Sequence, residues 1–182
     1  MNIIVKTFSG HCLVRPDTSW ERKSDDYYLP DGAGPLSFSP VIYAHVSRPG
    51  KSVGLRFAGR YFDSISYGML LYPQGLMDGT PEGYASAICL DHISFLPYPL
   101  QQDYPAPGAE FKLSRDGEEL FSCCYDGRYE IEKAVCEATA GFLIRTGDLI
   151  AVELKEKEFL CSGPAQIKGT LDGRPVLDFR IL

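Results

Sequence analysis

The sequence lacks several features that would assign a broad class at once. It has no apolar run close to the ~20 residues that a membrane-spanning helix needs, and its start lacks the charged-then-apolar layout of a secretory signal. It also lacks a basic excess: 24 Asp and Glu residues against 18 Lys and Arg residues give a net charge of -6, which argues against nucleic acid binding. No internal repeat, low-complexity tract or Gly/Ser linker divides the 182 residues. We therefore expect one globular domain over residues 1–182, located in the cytoplasm, with neither a membrane nor a nucleic acid as partner.

The cysteines lack the spacing of a metal site. None of the six stands in a Cys-x-x-Cys pair, and the adjacent Cys123 and Cys124 would point to opposite faces of a strand, which is poor geometry for chelation. We expect reduced cysteines that act as small core residues, because free cysteine is often buried. The six are Cys12, Cys89, Cys123, Cys124, Cys136 and Cys161.

What is present is a series of short segments with β-type character. Two Asp-Gly pairs, at 116–117 and 172–173, lie between apolar runs and predict hairpins, because both central residues of a type I′ turn need positive φ. Apolar residues recur on one face over 130–139 and predict a helix. The apolar segment 85–96 is interpreted as a strand, and 97–107 as a proline-rich loop. The fold is thus expected to be mainly β (α+β) with two short helices.

The central part of the chain is predicted to form a strand, a tight turn, a short helix and a second strand, joined by short connections. Residues 41–46 form an apolar run of strand length, and Pro49-Gly50 supplies the turn. Ser52 is the expected N-cap of the short helix. Residues 65–72 form the second strand, and Gly68 inside it indicates a bend or the close approach of another backbone.

This central part resembles the core of the fumarylacetoacetate hydrolase family, because Gly50-Lys51, Ala58 and Tyr61 stand in the order and spacing of that family. Similar motifs elsewhere are Arg15-Pro16-Asp17-Thr18, Leu29-Pro30 and Gly147-Asp148-Leu149-Ile150. The resemblance covers most of the chain after Gly10 and implies a mixed β-sandwich roll built from many short strands. It also implies hydrolysis, isomerisation or decarboxylation of small oxo acids at a divalent metal, magnesium or manganese.

The residues that would carry this chemistry are absent. With the motifs aligned, the three family carboxylates that hold the metal fall on Ser39, Val41 and Leu70, and the catalytic lysine falls on Ile88. The family's lid segment after the first strand, which carries a histidine and a glutamate, is missing. Hard cations such as magnesium are held by oxygen ligands, so we expect the metal to be lost, with no cofactor and no catalytic residue carried over from the family.

Several residues are expected to line the former pocket. They are Arg15, Tyr43, His45, Tyr72 and Val152. His45 follows Val41 at even spacing along the strand and would face the pocket, although a lone histidine is more often a hydrogen-bonded structural residue.

These observations favour a degenerate family member, a pseudoenzyme kept for binding or assembly. One alternative is an active hydrolase, isomerase or decarboxylase of small oxo acids whose site has moved. Another is a small-molecule binding module that uses the former pocket, made more apolar by Val41, Leu70, Ile88 and Val152. Family members commonly form dimers, so the resemblance implies a homodimer or a heteromer with an active paralogue.

Overall fold

Strands dominate the secondary structure of this computed structural model, which describes residues 1–98, 104–126 and 128–182. The strands are β1 (Asn2–Lys6), β2 (Cys12–Pro16), β3 (Trp20–Glu21), β4 (Leu36–Val46), β5 (Phe62–Pro73), β6 (Ser94–Phe95), β7 (Glu110–Arg115), β8 (Glu118–Cys124), β9 (Leu149–Glu153), β10 (Glu158–Cys161), β11 (Ala165–Leu171) and β12 (Arg174–Ile181). The α-helices of the described residues are α1 (Leu55–Ala58), α2 (Pro81–Ile88) and α3 (Tyr129–Gly141). The mainly β prediction is confirmed, although the described residues form three α-helices where two helices were expected. Within the described ranges, no helix combines the length and apolarity needed to cross a bilayer.

The strands form two sheets. In the larger sheet the order is β2-β1-β9-β4-β5-β6-β3, and β10 pairs with the first part of β4. This sheet is mixed, because β1 is parallel to β9 and β3 to β6, whereas the other pairs are antiparallel. The smaller sheet is antiparallel, in the order β12-β11-β7-β8.

The long strands β4 and β5 separate two hydrophobic cores, because successive side chains of a strand point to opposite faces. The main core lies between the two sheets, where Tyr67 stacks on Phe111 and Phe95 on Phe179, with ring centroids 4.7 and 3.7 Å apart. The opposite face of the larger sheet carries a smaller core, called here the second core. Its buried members are Ile3, Val5, Trp20, Val41, Tyr43, Leu70, Tyr72, Ile88, Leu96, Leu149 and Ala151.

Both predicted hairpins are present. The β7–β8 turn has Asp116 and Gly117 at φ 51° and 87°, and the β11–β12 turn has Asp172 and Gly173 at 49° and 74°. Positive φ at both positions is the type I′ geometry that Asp-Gly favours. The helix predicted over 130–139 is also confirmed, as α3, whose apolar face packs into the main core.

The strand predicted over 85–96 is wrong for most of its length. Residues up to Ile88 form α2, and only Ser94–Phe95 are strand. The helix begins at Thr80, whose hydroxyl accepts a hydrogen bond from the Gly83 N–H at 3.0 Å, and Pro81 occupies the first helical position. The loop predicted over 97–107 includes residues 99–103, which lie outside the described residues.

The central segment is confirmed in outline and corrected at the helix start. The strand β4 starts five residues before the predicted range and ends where predicted, whereas β5 extends beyond its predicted range at both ends. Another backbone does come close to Gly68, since a Cβ there would collide with the carbonyl oxygen of Phe95. The expected N-cap at Ser52 is wrong: Ser52 has φ 52°, and α1 starts after Gly54 without a side-chain cap. An N-cap residue needs extended backbone, which Ser52 does not adopt.

All six cysteines are unpaired, as expected. Cys161 is buried, in agreement with a core role. Cys89 and Cys124 are exposed, so the core prediction is wrong for these two residues.

Candidate functional site

The three positions aligned with the family's metal ligands lie together on the second-core face. Ser39 on β4 pairs directly with Leu70 on β5, and Val41 follows two residues along β4 on the same face. All three side chains are 0% exposed. The fold therefore brings the three aligned positions into one place, as three ligands of a single site would require.

The side chains at this place do not fit a divalent cation. Val41 and Leu70 offer only hydrocarbon, and the Ser39 hydroxyl donates a hydrogen bond to the Lys155 carbonyl oxygen at 2.8 Å. Ile88, the position of the catalytic lysine, enters the same cluster from α2 and is also buried. Magnesium and manganese need several oxygen ligands, usually including carboxylates. Within the described ranges, no three His, Cys, Asp or Glu side chains are grouped so that they could hold a metal ion.

Arg15 is fully buried beside this cluster and is held by neutral groups. On β2 it pairs with Ile3, which places it on the second-core face. Its guanidinium lies 4.5 Å from the ring centroid of Tyr72 and donates to the Leu71 carbonyl at 3.3 Å and the Ser94 hydroxyl at 3.2 Å. The cation is thus stabilised by a carbonyl, a hydroxyl and an aromatic face.

Glu153 is a buried carboxylate at the former site that the sequence analysis missed. On β9 it pairs with Val41, so it lies on the second-core face. One carboxylate oxygen accepts from the Tyr72 hydroxyl, and the other accepts from the Phe8 N–H at 2.8 Å. Burial holds the pKa of Tyr72 well above its ordinary value, so this hydroxyl remains a donor. A carboxylate inside an apolar strand was the available signal, because such a residue is rarely buried without partners.

The contact between Glu153 and Phe8 ties the turn after β1 to the second-core face. The tight turn after β1 is held by the Thr7 N–H, which donates to the His11 carbonyl at 2.8 Å, and by the Gly10 N–H, which donates to the Thr7 carbonyl at 2.8 Å. The Phe8 N–H then binds Glu153. The turn between β1 and β2 is therefore anchored to Glu153, beside Val41.

The remaining side of the former site is covered by α2 and by Lys157. The rings of Tyr84 on α2 and Tyr72 on β5 lie 6.3 Å apart between centroids. The Lys157 ammonium lies 4.9 Å from the Tyr72 centroid and 5.0 Å from that of Tyr84. Together with Ile88, these groups close the hydrocarbon cluster.

The other residues expected at the pocket are distributed more widely. Tyr43 and His45 share the face of Val41, and Tyr43 is fully buried, which raises the pKa of its hydroxyl. His45 lies farther along β4, where its Nδ1 is 2.9 Å from the Asp63 Oδ1. Val152 is not brought to this face: it pairs with Ile42 and packs in the main core.

The motifs on which the resemblance to the family rests make structural contacts. A Cβ added at Gly50 would lie 2.6 Å from the Tyr61 ring, so the turn needs glycine where this ring packs. Lys51 donates to the Gly141 carbonyl oxygen at 2.7 Å, at the C-terminal end of α3. A cation at that end satisfies a free carbonyl and complements the helix dipole. Ala58 is fully buried in the main core.

Asp148, in another of these motifs, connects three segments through hydrogen bonds. Its side chain is fully buried in the fold, and its carboxylate accepts from the Asn2 N–H and the Arg145 N–H, each at 2.8 Å. Its carbonyl oxygen accepts from the Val46 N–H at 2.8 Å. The aspartate thus fixes the start of β1, the turn before β9 and the end of β4.

No protein-family model matches the sequence, and no curated protein matches it. Solved structures match the fold over the whole chain. Fumarylpyruvate hydrolase from Pseudomonas aeruginosa in complex with Mn²⁺ and pyruvate gives a TM-score of 0.80 at 16% identity, covering 100% of this chain and 89% of that chain. For 2-hydroxyhepta-2,4-diene-1,7-dioate isomerase from Mycobacterium marinum, the TM-score is 0.79 at 17% identity, and the match covers 100% of this chain and 74% of that chain. A fumarylacetoacetate hydrolase family protein from Yersinia pestis CO92 gives a TM-score of 0.77 at 16% identity, and the match covers 100% of this chain and 92% of that chain.

These matches define a class of fold, a mixed β roll shared by hydrolases and isomerases. It is the fumarylacetoacetate hydrolase fold, and the resemblance seen in the motifs is confirmed at that level. At such low identity the similarity establishes the fold alone, so what the chain does must be argued from its own residues.

Proposed function

We propose that this chain is a non-catalytic protein with the fumarylacetoacetate hydrolase fold, kept for binding or assembly. The observation that carries the proposal is the closed hydrocarbon cluster of Val41, Leu70 and Ile88 at the aligned metal and lysine positions. Placing a divalent cation against hydrocarbon would remove its hydration without supplying oxygen ligands, which is strongly unfavourable. The nearby Glu153 does not compensate, because it is a single carboxylate, hydrogen-bonded to the Phe8 N–H and the Tyr72 hydroxyl, and a hard cation needs several oxygen ligands.

The same cluster argues against the former pocket as a small-molecule site. Its side chains are buried to 5% exposure or less, and Tyr84, Lys157 and the turn at Phe8 surround them. A ligand would have to displace packed side chains, and closely packed interiors resist such displacement.

A partner protein is the remaining part of the proposal. We propose a homodimer or a complex with an active paralogue, in line with the dimers that the resemblance implies. Exposed aromatic side chains supply candidate contacts, since aromatic residues are enriched at interfaces. They include Phe8, Tyr28, Tyr129 and Phe159.

Metal titration tests the loss of the metal site. Isothermal titration of the purified protein with Mg²⁺ and Mn²⁺, together with elemental analysis of the protein as isolated, should detect no stoichiometric binding. Binding of one metal ion per chain would contradict the proposal and would favour an active enzyme with a moved site.

A restoration variant tests the alignment itself. The triple variant Ser39→Glu, Val41→Glu and Leu70→Asp places three carboxylates on one face, so Mn²⁺ should raise its Tm by binding the folded state. The matched control Ser39→Gln, Val41→Gln and Leu70→Asn has similar side-chain volumes without charge, and its Tm should not respond to Mn²⁺. Equal responses of the two variants would show that these positions do not form a metal site.

A further inference from the structure

A cavity of about 600 Å³ lies between residues 22–24, Ser66 on β5, residues 97–98 and residues 175–176 on β12. This volume is within the range of roughly 300–1,000 Å³ that is usual for small-molecule sites. One part of its lining is cationic, with Arg22 and Lys23, and another part is apolar, with Pro97 and Val176. The cavity lies at residues that have no part in the aligned metal site.

The cationic part consists of two exposed side chains, Arg22 and Lys23, and neither forms an ion pair with an acid of the described residues. Trp20 supports Arg22, whose guanidinium carbon is 4.0 Å from the ring centroid. The adjacent Glu21 carboxylate accepts from the Lys23 N–H at 2.8 Å and contacts the His92 Nδ1 at 3.0 Å. Asp25, two residues after Lys23, is exposed, and Asp26 binds Arg180. The positive charge of the two side chains is therefore available to an anion.

The lining also presents hydroxyl groups that are held in place. Ser66 on β5 is buried, pairs with Tyr43 on β4 and lines the cavity. The Tyr98 hydroxyl lines it as well and lies 3.5 Å from the His45 Nε2, while the His45 Nδ1 is held by Asp63 at 2.9 Å. The Asp63–His45 pair fixes the imidazole, and the imidazole in turn orients the tyrosine.

We propose that this cavity binds a small organic anion with an apolar body. Arg22 and Lys23 bind its carboxylate, Pro97 and Val176 contact its hydrocarbon part, and the Ser66 and Tyr98 hydroxyls hydrogen-bond to its polar atoms. Apolar walls combined with a few converging polar groups are typical of ligand sites. This inference is independent of the loss of the metal site, so either can fail without the other.

Calorimetric titration with phenylacetate, and with its neutral isostere phenylacetamide, tests the proposal. Phenylacetate should bind once per chain, and phenylacetamide roughly tenfold more weakly or not at all, because a charge-assisted contact of about 1.4 kcal/mol corresponds to tenfold in affinity. The double variant Arg22→Gln, Lys23→Gln should lose roughly tenfold in phenylacetate affinity for the same reason. The control Lys133→Gln, Lys168→Gln removes two exposed cations outside the cavity lining and should bind as the unmodified protein does.

A second variant separates binding from folding. Val176→Trp fills the cavity from its partly buried rim and should abolish phenylacetate binding while leaving the Tm of the free protein within a few degrees. The proposal is overturned if phenylacetate shows no saturable binding at millimolar concentrations. It is overturned equally if the amide binds as well as the acid, or if the cavity variants bind as the control does.

Discussion

Two regions on the same pair of central strands differ in how they relate to the family. Around the Gly50 turn, the residues on which the resemblance to the family rests make contacts that hold elements together: Lys51 binds the end of α3, and Tyr61 packs on Gly50. Around Val41, the positions aligned with the family's carboxylates carry Val41 and Leu70, which pack in the second core. The first region supports the fold and the second would carry the chemistry.

The difference separates residues that the fold itself needs from residues that only a metal site would need. A turn that needs glycine and a helix end that needs a cation impose their residues by geometry, because a substitution leaves a collision or an unpaired carbonyl. A metal face imposes its carboxylates only while a metal is bound. Without the cation, three adjacent carboxylates would be buried together, and hydrocarbon is the more stable occupant.

The largest expected effect is at the former site. Leu70→Ala should lower the free energy of unfolding by about 3–4 kcal/mol, because a fully buried leucine in a packed cluster leaves a cavity. Urea denaturation measures the loss, and Leu143→Ala, at a 53% exposed leucine, is the control with little change. A loss below about 1 kcal/mol would mean that the former site is an open pocket, and the two regions would then differ less than the packing indicates.

The next effect is expected in the supporting region. Asp148→Ala removes a buried carboxylate that accepts from the Asn2 and Arg145 N–H groups, so it should cost about 2–3 kcal/mol. The measurement is again the free energy of unfolding in urea, with the exposed Asp178→Ala as the control. If Asp148→Ala leaves the free energy of unfolding unchanged, the contacts of this aspartate do not stabilise the fold.

The sequence predicted those parts of the fold that local chemistry decides. The Asp-Gly hairpins follow from φ at two adjacent residues, and the close backbone approach follows from Gly68. The strand predicted over 85–96 was wrong because a short apolar run fits a strand and a buried helix equally well. Thr80-Pro81 is the local signal for a helix start at this place.

The candidate site was less predictable, because long-range pairing decides it. The pairing of β9 with β4 puts Glu153 beside Val41 and sends Val152 to the main core. A shift by one residue would reverse this, since neighbouring side chains on a strand point to opposite faces. The covering contacts of Tyr84 and Lys157 come from segments far apart in sequence and have no local pattern.

The smallest expected effect tests whether the retained lysine is only structural. Lys51→Met should lower the free energy of unfolding by about 0.5–1 kcal/mol, because it removes a cation from an exposed helix C-terminus and leaves the Gly141 carbonyl to water. Lys133→Met, on the exposed side of α3, is the matched control and should change stability less. If both variants behave alike, the contact with Gly141 contributes no stability, and Lys51 would have to be explained by a ligand or a partner. A loss in the expected range instead places this lysine with Gly50 and Asp148, among the residues whose contacts stabilise the fold.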